Sequence, residues 1–162
     1  MNMKQTSLCY IENSGRYLMM HRISKDNDEN KGKWIGVGGK FEEGESPEDC
    51  MLRETFEETG IKVTDFKYRG IVTFVSDIYE TEHMHLFTAT SATDTFLPCD
   101  EGELSWIEKE RILSLNLWEG DRVFLKLMED EERPFFSLKL VYLGDELTRV
   151  ILNGKHFKEW NI

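Results

Sequence analysis

The sequence predicts an α/β (α+β) fold, an α/β/α sandwich in which helices cover both faces of a central mixed β-sheet. Three observations support this prediction. Segments rich in alternating or β-branched residues, typical of strands, recur along the chain. Two helical segments interrupt them, one after a double glycine and one near residue 120. The resulting order of hairpin, strand, helix, strands, helix and hairpin is that of a sheet between two helical layers.

Length and composition limit the classes of protein to consider. A chain of 162 residues corresponds to a single domain, 1–162. The net charge of -11 disfavours binding to a nucleic acid polymer or to an anionic membrane. The three cysteines lack C-x-x-C spacing, which predicts reduced thiols and a cytoplasmic setting. No signal peptide or membrane-spanning apolar run is expected, and the sequence leaves a monomer and a homodimer open.

The first elements form a predicted β-hairpin. Residues 8–11 and 16–22 resemble strands, and they flank a turn that contains Ser14 and Gly15. Arg22 stands at the end of the second strand. Such a residue either contacts a phosphate or is a solvated strand end, and the sequence does not separate the two.

A loop and a short strand come next. Residues 24–33 are polar and charged, which predicts a surface loop. A strand over residues 34–37 then leads into Gly38 and Gly39, where the absence of side chains exposes backbone carbonyls. Lys40 follows directly.

Local signals define the first helix. Ser46 is a favourable N-cap, Pro47 suits the first helical position, and Asp49 is placed to complete a capping box. Gly60 provides a C-terminal stop. At about 100° per residue, one side is predicted to pack against the core. That side consists of Met51, Leu52, Thr55, Phe56 and Thr59.

The other side of this helix carries one arginine and three acids, namely Arg53, Glu54, Glu57 and Glu58. Carboxylates at i,i+3 and i,i+4 repel one another by only about 0.2–0.5 kcal/mol per pair, so a solvated acidic face is a tolerable explanation. The adjacent glycine pair, the single arginine and Lys40 favour the alternative, a site for Mg²⁺ or Mn²⁺.

The second half of the chain continues the sheet. Strands are predicted over residues 66–75, 83–90 and 104–107, then a short helical turn, an amphipathic helix after Trp118, and a hairpin over residues 137–152. Residues 153–162 form a polar tail that either docks or frays. His83 and His85 share a strand face. With no further Cys or His nearby, a surface or substrate-lining role is favoured over a transition-metal site.

The glycine loop and first helix resemble the Nudix box, G-x5-E-x7-R-E-U-x-E-E-x-G-U. The match runs over residues 39–61 and includes every polar and glycine position: Gly39, Glu45, Arg53, Glu54, Glu57, Glu58, Gly60 and Ile61. Thr55 stands where the family usually has a bulky aliphatic residue, on the packing side of the helix. A motif of this length and fixed spacing identifies the chain as similar to the Nudix hydrolases, and the resemblance extends over roughly residues 8–152.

The resemblance implies a nucleotide hydrolase that uses a divalent metal and an activated water. By position, the metal ligands would be Glu54, Glu57 and Glu58, the carbonyl of Gly38, and Glu101 in the acidic loop before the strand at 104–107. Either Glu58 or Glu101 would be the general base. Among the other residues, Arg53 would orient Glu57, Glu45 would support the loop, and Lys40 or Arg22 would offset phosphate charge.

Residues outside the box are similar to those of MutT-type 8-oxo-dGTP diphosphatases. In such relatives an aromatic residue and an acid or amide at the second helix contact the purine, so the resemblance implies this role for Trp118 and Asp121. The expected reaction is Mg²⁺-dependent hydrolysis of an oxidised purine nucleoside triphosphate to monophosphate and pyrophosphate. The alternatives are activity on ADP-ribose, a dinucleoside polyphosphate or unmodified dNTPs, or a Nudix-fold module that binds nucleotides without catalysis.

Overall fold

The strands of the structure, a computed structural model that describes residues 3–23 and 25–161, lie in one mixed sheet. Residue 24 of the predicted loop, and residues 1, 2 and 162, lie outside the described residues. The strands are β1 (Met3–Asn13), β2 (Arg16–His21), β3 (Trp34–Ile35), β4 (Val37–Lys40), β5 (Asp65–Ser76), β6 (Thr81–Thr90), β7 (Glu103–Glu108), β8 (Phe136–Leu143), β9 (Glu146–Leu152) and β10 (Lys155–His156). The α-helices are α1 (Pro47–Thr59) and α2 (Glu119–Met128), and short 3-10 helices cover Lys109–Ser114 and Lys158–Asn161.

The strand β1 is the centre of the sheet. It pairs in parallel with β6 along nearly its whole length and antiparallel with β4 and β2 on its other side. The order β10-β9-β8-β5-β6-β1-β2-β3 also contains a second parallel pair, β5 with β8, while β7 pairs with β2. The sheet is therefore mixed, as the sequence predicted.

Two hydrophobic cores lie on opposite faces of this sheet. Because side chains alternate along β1, Leu8 and Tyr10 pack on the α2 side, and Cys9 and Ile11 pack on the α1 side. Phe124 of α2 belongs to the first core. The α/β/α sandwich predicted from the element order is confirmed.

The caps of α1 follow the sequence prediction. The Ser46 hydroxyl accepts a hydrogen bond from the Asp49 amide, the Asp49 carboxylate accepts one from the Ser46 amide, and Gly60 ends the helix at φ 76°. One prediction for this helix is wrong: Phe56 is 56% exposed and not packed in the core. The buried side is instead centred on Met51, Thr55, Glu58 and Thr59, so it is rotated toward the acidic face. Thr55 satisfies its hydroxyl by donating to the Met51 carbonyl at 2.8 Å.

Both predicted hairpins are present. The β1–β2 turn has positive φ at Ser14 and Gly15, the conformation that a two-residue hairpin loop requires. The β8–β9 hairpin turns at Gly144, also at positive φ. Beyond it, β10 pairs with β9, and Phe157 and Trp160 pack against the α2-side core. Among the described residues no helix is long and apolar enough to cross a bilayer, and all three cysteines are free thiols.

Candidate active site

Arg53 connects β4, the loop before α1 and the acidic residues of α1. Its Nε and Nη2 atoms donate to the two carboxylate oxygens of Glu45 at 2.7 and 2.9 Å. Its Nη1 atom donates to Glu54 at 2.7 Å and to Glu57 at 3.2 Å, and Nη2 also donates to the backbone oxygen of Lys40 at 3.0 Å. The guanidinium thus holds four groups at once, and its hydrogen bond to Glu57 is the longest of these.

The glycine pair gives α1 close access to β4. A Cβ atom at Gly39 would lie 2.5 Å from the carboxylate carbon of Glu54, and one at Gly38 would lie 1.9 Å from the backbone oxygen of Ser7. Gly38 and Gly39 pair with Leu8 and Ser7 of β1, so the approach is set by the sheet. Glycine is required at both positions for backbone and carboxylate to come together.

Glu58 is a buried acid with a raised pKa. Its side chain is turned inward, and its Oε2 atom has no hydrogen-bond partner among the described residues. Burial, together with the nearby carboxylates of Glu101 and Glu54, raises the pKa of Glu58 to about 9, while a backbone hydrogen bond from Gly38 opposes the shift. The structure therefore brings Glu58, Glu54, Glu101 and Gly38 into one neighbourhood.

A cavity of about 340 Å³ adjoins this group. Seven of the residues predicted from the sequence line it, namely Arg22, Gly38, Lys40, Glu54, Glu101, Trp118 and Asp121. Arg22 donates to Asp28 at 2.6 Å and reaches Glu101 at 3.5 Å, which places a cation beside the acidic loop. The volume is in the range of small-molecule sites.

At α2 the cavity is bounded by Asp121 and Trp118. Asp121 is 9% exposed, and its burial, together with the negative charge of Glu82, raises its pKa to about 7. The indole Nε1 of Trp118 donates to Asn30 at 2.9 Å, and Lys33 Nζ lies 4.9 Å from the indole ring centroid. Trp118 precedes α2 as its N-cap residue, and Asp121 lies in the first turn without capping it.

Several predicted residues lie outside the cavity lining. Arg53, Glu57 and Glu58 do not line the cavity, and the Glu57 side chain is 57% exposed beside Arg53. His83 and His85 are joined through Gln5: His85 Nε2 is 2.9 Å from Gln5 Oε1, and His83 Nδ1 is 3.3 Å from Gln5 Nε2. These histidines are hydrogen-bonded on the α1 side of the sheet and do not reach the cavity.

Other polar residues of the cavity were not predicted from the sequence. Lys4, Thr6 and Glu82 come from β1 and β6, and Glu29 and Asn30 come from the loop after β2. Lys4 and Glu82 face each other only because β1 and β6 pair in parallel across a long connection. The spacing of residues along one segment contains no signal for such a pair.

The donors near Glu58 are suited to a hard cation. Within residues 3–23 and 25–161, no three His, Cys, Asp or Glu side chains are already set at metal-binding distances. The groups nearby all offer oxygen atoms to a metal. They are the unpartnered Oε2 of Glu58, the adjacent carboxylates of Glu54 and Glu101, and the backbone carbonyls of Gly38 and Gly39 in β4. Oxygen-only donors fit Mg²⁺ or Mn²⁺ and do not fit a soft metal.

Comparison with known proteins identifies the family of the chain. A model of the NUDIX domain matches residues 2–128. The chain is 29% identical over 133 residues to an uncharacterized Nudix hydrolase, YvcI, of Bacillus subtilis, covering 78% of this chain and 79% of that protein. It is 34% identical over 104 residues to an oxidized purine nucleoside triphosphate hydrolase of Danio rerio, covering 63% of this chain and 66% of the relative.

Solved structures share the same fold. A crystal structure of a MutT protein from Bacillus halodurans superposes with a TM-score of 0.81 at 26% identity, covering 94% of this chain and 99% of the other. The matched domain and the shared sandwich fold together define a MutT-like member of the Nudix class. The chain belongs to the Nudix family, as the box had indicated.

Proposed function

We propose that this protein is a Mg²⁺-dependent nucleoside triphosphate pyrophosphohydrolase that prefers oxidised purine nucleotides such as 8-oxo-dGTP. The products are the nucleoside monophosphate and pyrophosphate, and Mn²⁺ serves as a substitute metal. The proposed biological role is removal of oxidised precursors from the cytoplasmic nucleotide pool before they enter DNA. No polymer of nucleic acid and no membrane takes part.

One observation carries the proposal: a single cavity contains both a carboxylate of the box helix, Glu54, and a buried acid of the second helix, Asp121. The first can serve a polyphosphate and its metal, and the second can hydrogen-bond a base. An ADP-ribose or dinucleoside substrate would need a second sugar or base site as well. The zebrafish relative's name supports the choice of an oxidised purine.

The residues of the chain have separate roles in this proposal. Glu54, Glu57, Glu58, Glu101 and the Gly38 carbonyl hold the metal, which when bound polarises phosphoryl oxygens and lowers the pKa of water. In addition, Arg53 keeps the acids in place through its contacts with Glu45 and Glu54.

Two of the residues that line the cavity can supply positive charge to a polyphosphate. Arg22 and Lys40 offset phosphate charge, and Arg22 is the better fixed of the two because Asp28 holds it at 2.6 Å. Their number is small against a chain whose net charge is -11, so the substrate would arrive as a complex with a divalent cation.

The test is release of pyrophosphate from 8-oxo-dGTP, dGTP, dATP and ADP-ribose with and without Mg²⁺. The inactive control is Glu54→Gln, and the matched control is Glu43→Gln, whose side chain is exposed in the loop before α1. A Mg²⁺-dependent preference for 8-oxo-dGTP supports the proposal. Equal rates on dGTP and 8-oxo-dGTP would reject the oxidised substrate, and turnover by Glu54→Gln at the wild-type rate would reject the catalytic assignment.

A further inference from the structure

Glu82 is a charged residue of the cavity that the metal and phosphate roles do not use. It lies on β6 directly opposite Lys4 of β1, and it lines the cavity together with Lys4 and Thr6. Its side chain is 19% exposed, so it is largely buried but accessible from the cavity. The apolar side chains of Met84 and Phe74 line the same cavity, and a carboxylate in such surroundings is costly unless its oxygens accept hydrogen bonds.

The two oxygens of Glu82 are held from one side. Thr6 Oγ1 donates to Oε2 at 2.6 Å, and Lys4 Nζ lies 3.5 Å from Oε1. Lys4 is itself held by Glu29 at 3.3 Å. A carboxylate oxygen can accept two hydrogen bonds, so both oxygens of Glu82 retain acceptor capacity toward the cavity. The Glu82 carboxylate is therefore fixed in orientation and still able to bind a ligand.

This arrangement matches one edge of one class of purine. A 2-amino-6-oxopurine presents two adjacent donors, the N1–H and the 2-amino group, which a carboxylate can accept side by side. Beside these donors the base has an acceptor, O6. The Lys4 ammonium has three N–H groups, and its two acidic neighbours take two of them, which leaves one to donate to O6. An adenine presents an acceptor at N1, which would face the carboxylate without a hydrogen bond.

The neighbourhood of Asp121 agrees with a base at this position. The charge of Glu82 acts on the carboxyl of Asp121, so the two acids lie near each other in the cavity. Trp118, Phe74 and Met84 supply apolar and aromatic surface beside them. A flat heterocycle with N–H donors fits this combination of surface and acceptors better than a sugar or a phosphate does.

We propose that Glu82, positioned by Thr6 and Lys4, binds the N1–H and 2-amino groups of the base and makes guanine-type nucleotides the preferred substrates. The inference rests on the proposed function in one respect, that a nucleotide base occupies this cavity. It assigns to β6 a specificity-determining residue in addition to the pair at the second helix.

The experiment compares dGTP, dITP and dATP, because dITP differs from dGTP only in lacking the 2-amino group. The measurements are kcat/KM and, for GMP, IMP and AMP, the dissociation constant by calorimetry. The proteins are wild type, Glu82→Gln and the matched control Glu80→Gln, whose side chain is exposed in the β5–β6 hairpin. Loss of a hydrogen bond to a charged group weakens binding by about ten- to a hundredfold.

In wild type and in Glu80→Gln, dGTP and GMP are expected to be favoured about tenfold or more over dITP and IMP. In Glu82→Gln the dGTP/dITP ratio should approach one, mainly through a higher KM for dGTP, with dATP unchanged or improved. An equal loss on all three nucleotides would assign Glu82 a structural role and overturn the proposal. So would a wild-type ratio near one, a result that does not depend on the variant folding.

The binding measurement separates this inference from the proposed function. Discrimination between GMP and IMP without any turnover would retain the role of Glu82 and reject the hydrolase assignment. Turnover without discrimination would retain the hydrolase and reject the role of Glu82. Absence of both binding and turnover would reject the two together.

Discussion

Arg53 and Glu45 form a bidentate ion pair, with Nε and Nη2 of the arginine 2.7 and 2.9 Å from the two carboxylate oxygens. Hydrogen bonding to Arg53, with a further bond from the Glu42 amide, lowers the pKa of Glu45 to about 2. Because the same guanidinium contacts Glu54, the pair links the loop before α1 to the cavity. Glu45 of the box therefore affects the cavity indirectly, by holding Arg53 in position.

This pair predicts a specific acid dependence for Glu45→Gln. A carboxyl with a lowered pKa in the folded state stabilises the fold above its unfolded pKa and loses that effect as pH falls through the folded value. The Tm of Glu45→Gln should therefore be below that of wild type at about pH 6, and the gap should close between about pH 4.5 and pH 2. Thermal melts against pH measure this, with Glu43→Gln as the exposed control. A gap that stays constant with pH would contradict the assignment.

The two glycines of β4 predict two different defects. In Gly38→Ala the new Cβ would meet the Ser7 backbone oxygen at 1.9 Å, which cannot move without breaking the β1–β4 pairing, so the Tm should fall strongly. In Gly39→Ala the contact at 2.5 Å is with the flexible carboxylate of Glu54, which can rotate away. The Tm should change little while kcat falls by at least about tenfold, a rate loss of roughly 1.4 kcal/mol. Calorimetry and steady-state rates on both variants check this, and a reversed order of effects would refute it.

Local sequence signals were sufficient for α1 and its caps. The capping box at Ser46 and Asp49 and the stop at Gly60 depend only on neighbours within one or two turns, so they could be predicted without the fold. The hairpin at Ser14 and Gly15 was predictable for the same reason. The fixed spacing of the box likewise identifies Glu54 from the sequence alone.

Features that depend on distant parts of the chain could not be obtained in this way. The helical spacing predicts that Phe56 lies on the packing side, whereas the helix buries Glu58 and leaves Phe56 exposed. The buried carboxyl of Glu58 lies near those of Glu54 and Glu101, and the periodicity of a single helix contains no information about a neighbour such as Glu101. The pairing of Lys4 with Glu82 requires the parallel register of β1 and β6, which the sequence does not encode locally.

Glu58 predicts a link between metal binding and stability. Its Oε2 atom is buried without a partner among the described residues, beside two other carboxyl groups, an arrangement that a divalent cation would relieve. Mg²⁺ should therefore raise the Tm of wild type. At a Mg²⁺ concentration of 100 times the dissociation constant, the free energy of unfolding should increase by about 2.7 kcal/mol.

In Glu58→Gln the Mg²⁺-dependent rise in Tm should be much smaller, and the metal-free protein should be more stable than wild type because a buried carboxyl has been removed. Differential scanning calorimetry with EDTA and with Mg²⁺ measures both effects. The matched control is Glu43→Gln, which should keep the full wild-type rise. A wild-type rise in Glu58→Gln would show that Glu58 is not a metal ligand.

Asp121 predicts a pH dependence of the opposite sign to that of Glu45. Burial raises its pKa to about 7, so between about pH 4 and pH 7 the unfolded chain has lost this proton while the folded protein keeps it. Wild-type stability should therefore fall across this range relative to Asp121→Asn, by on the order of a few kcal/mol at about 1.4 kcal/mol per pKa unit. Melts of the two proteins from pH 4 to pH 8 measure the difference.

The same variant tests the base-binding role of this residue. Because Asp121 lines the cavity at α2, Asp121→Asn should reduce the preference for 8-oxo-dGTP over dGTP while leaving the Mg²⁺-dependent rise in Tm intact. The amide of asparagine has one fixed acceptor and one fixed donor group, whereas a carboxyl near its pKa can donate or accept at the same oxygen. Loss of the Mg²⁺ effect would instead assign Asp121 to the metal end of the cavity, since only a ligand change there would alter the stabilisation by the cation.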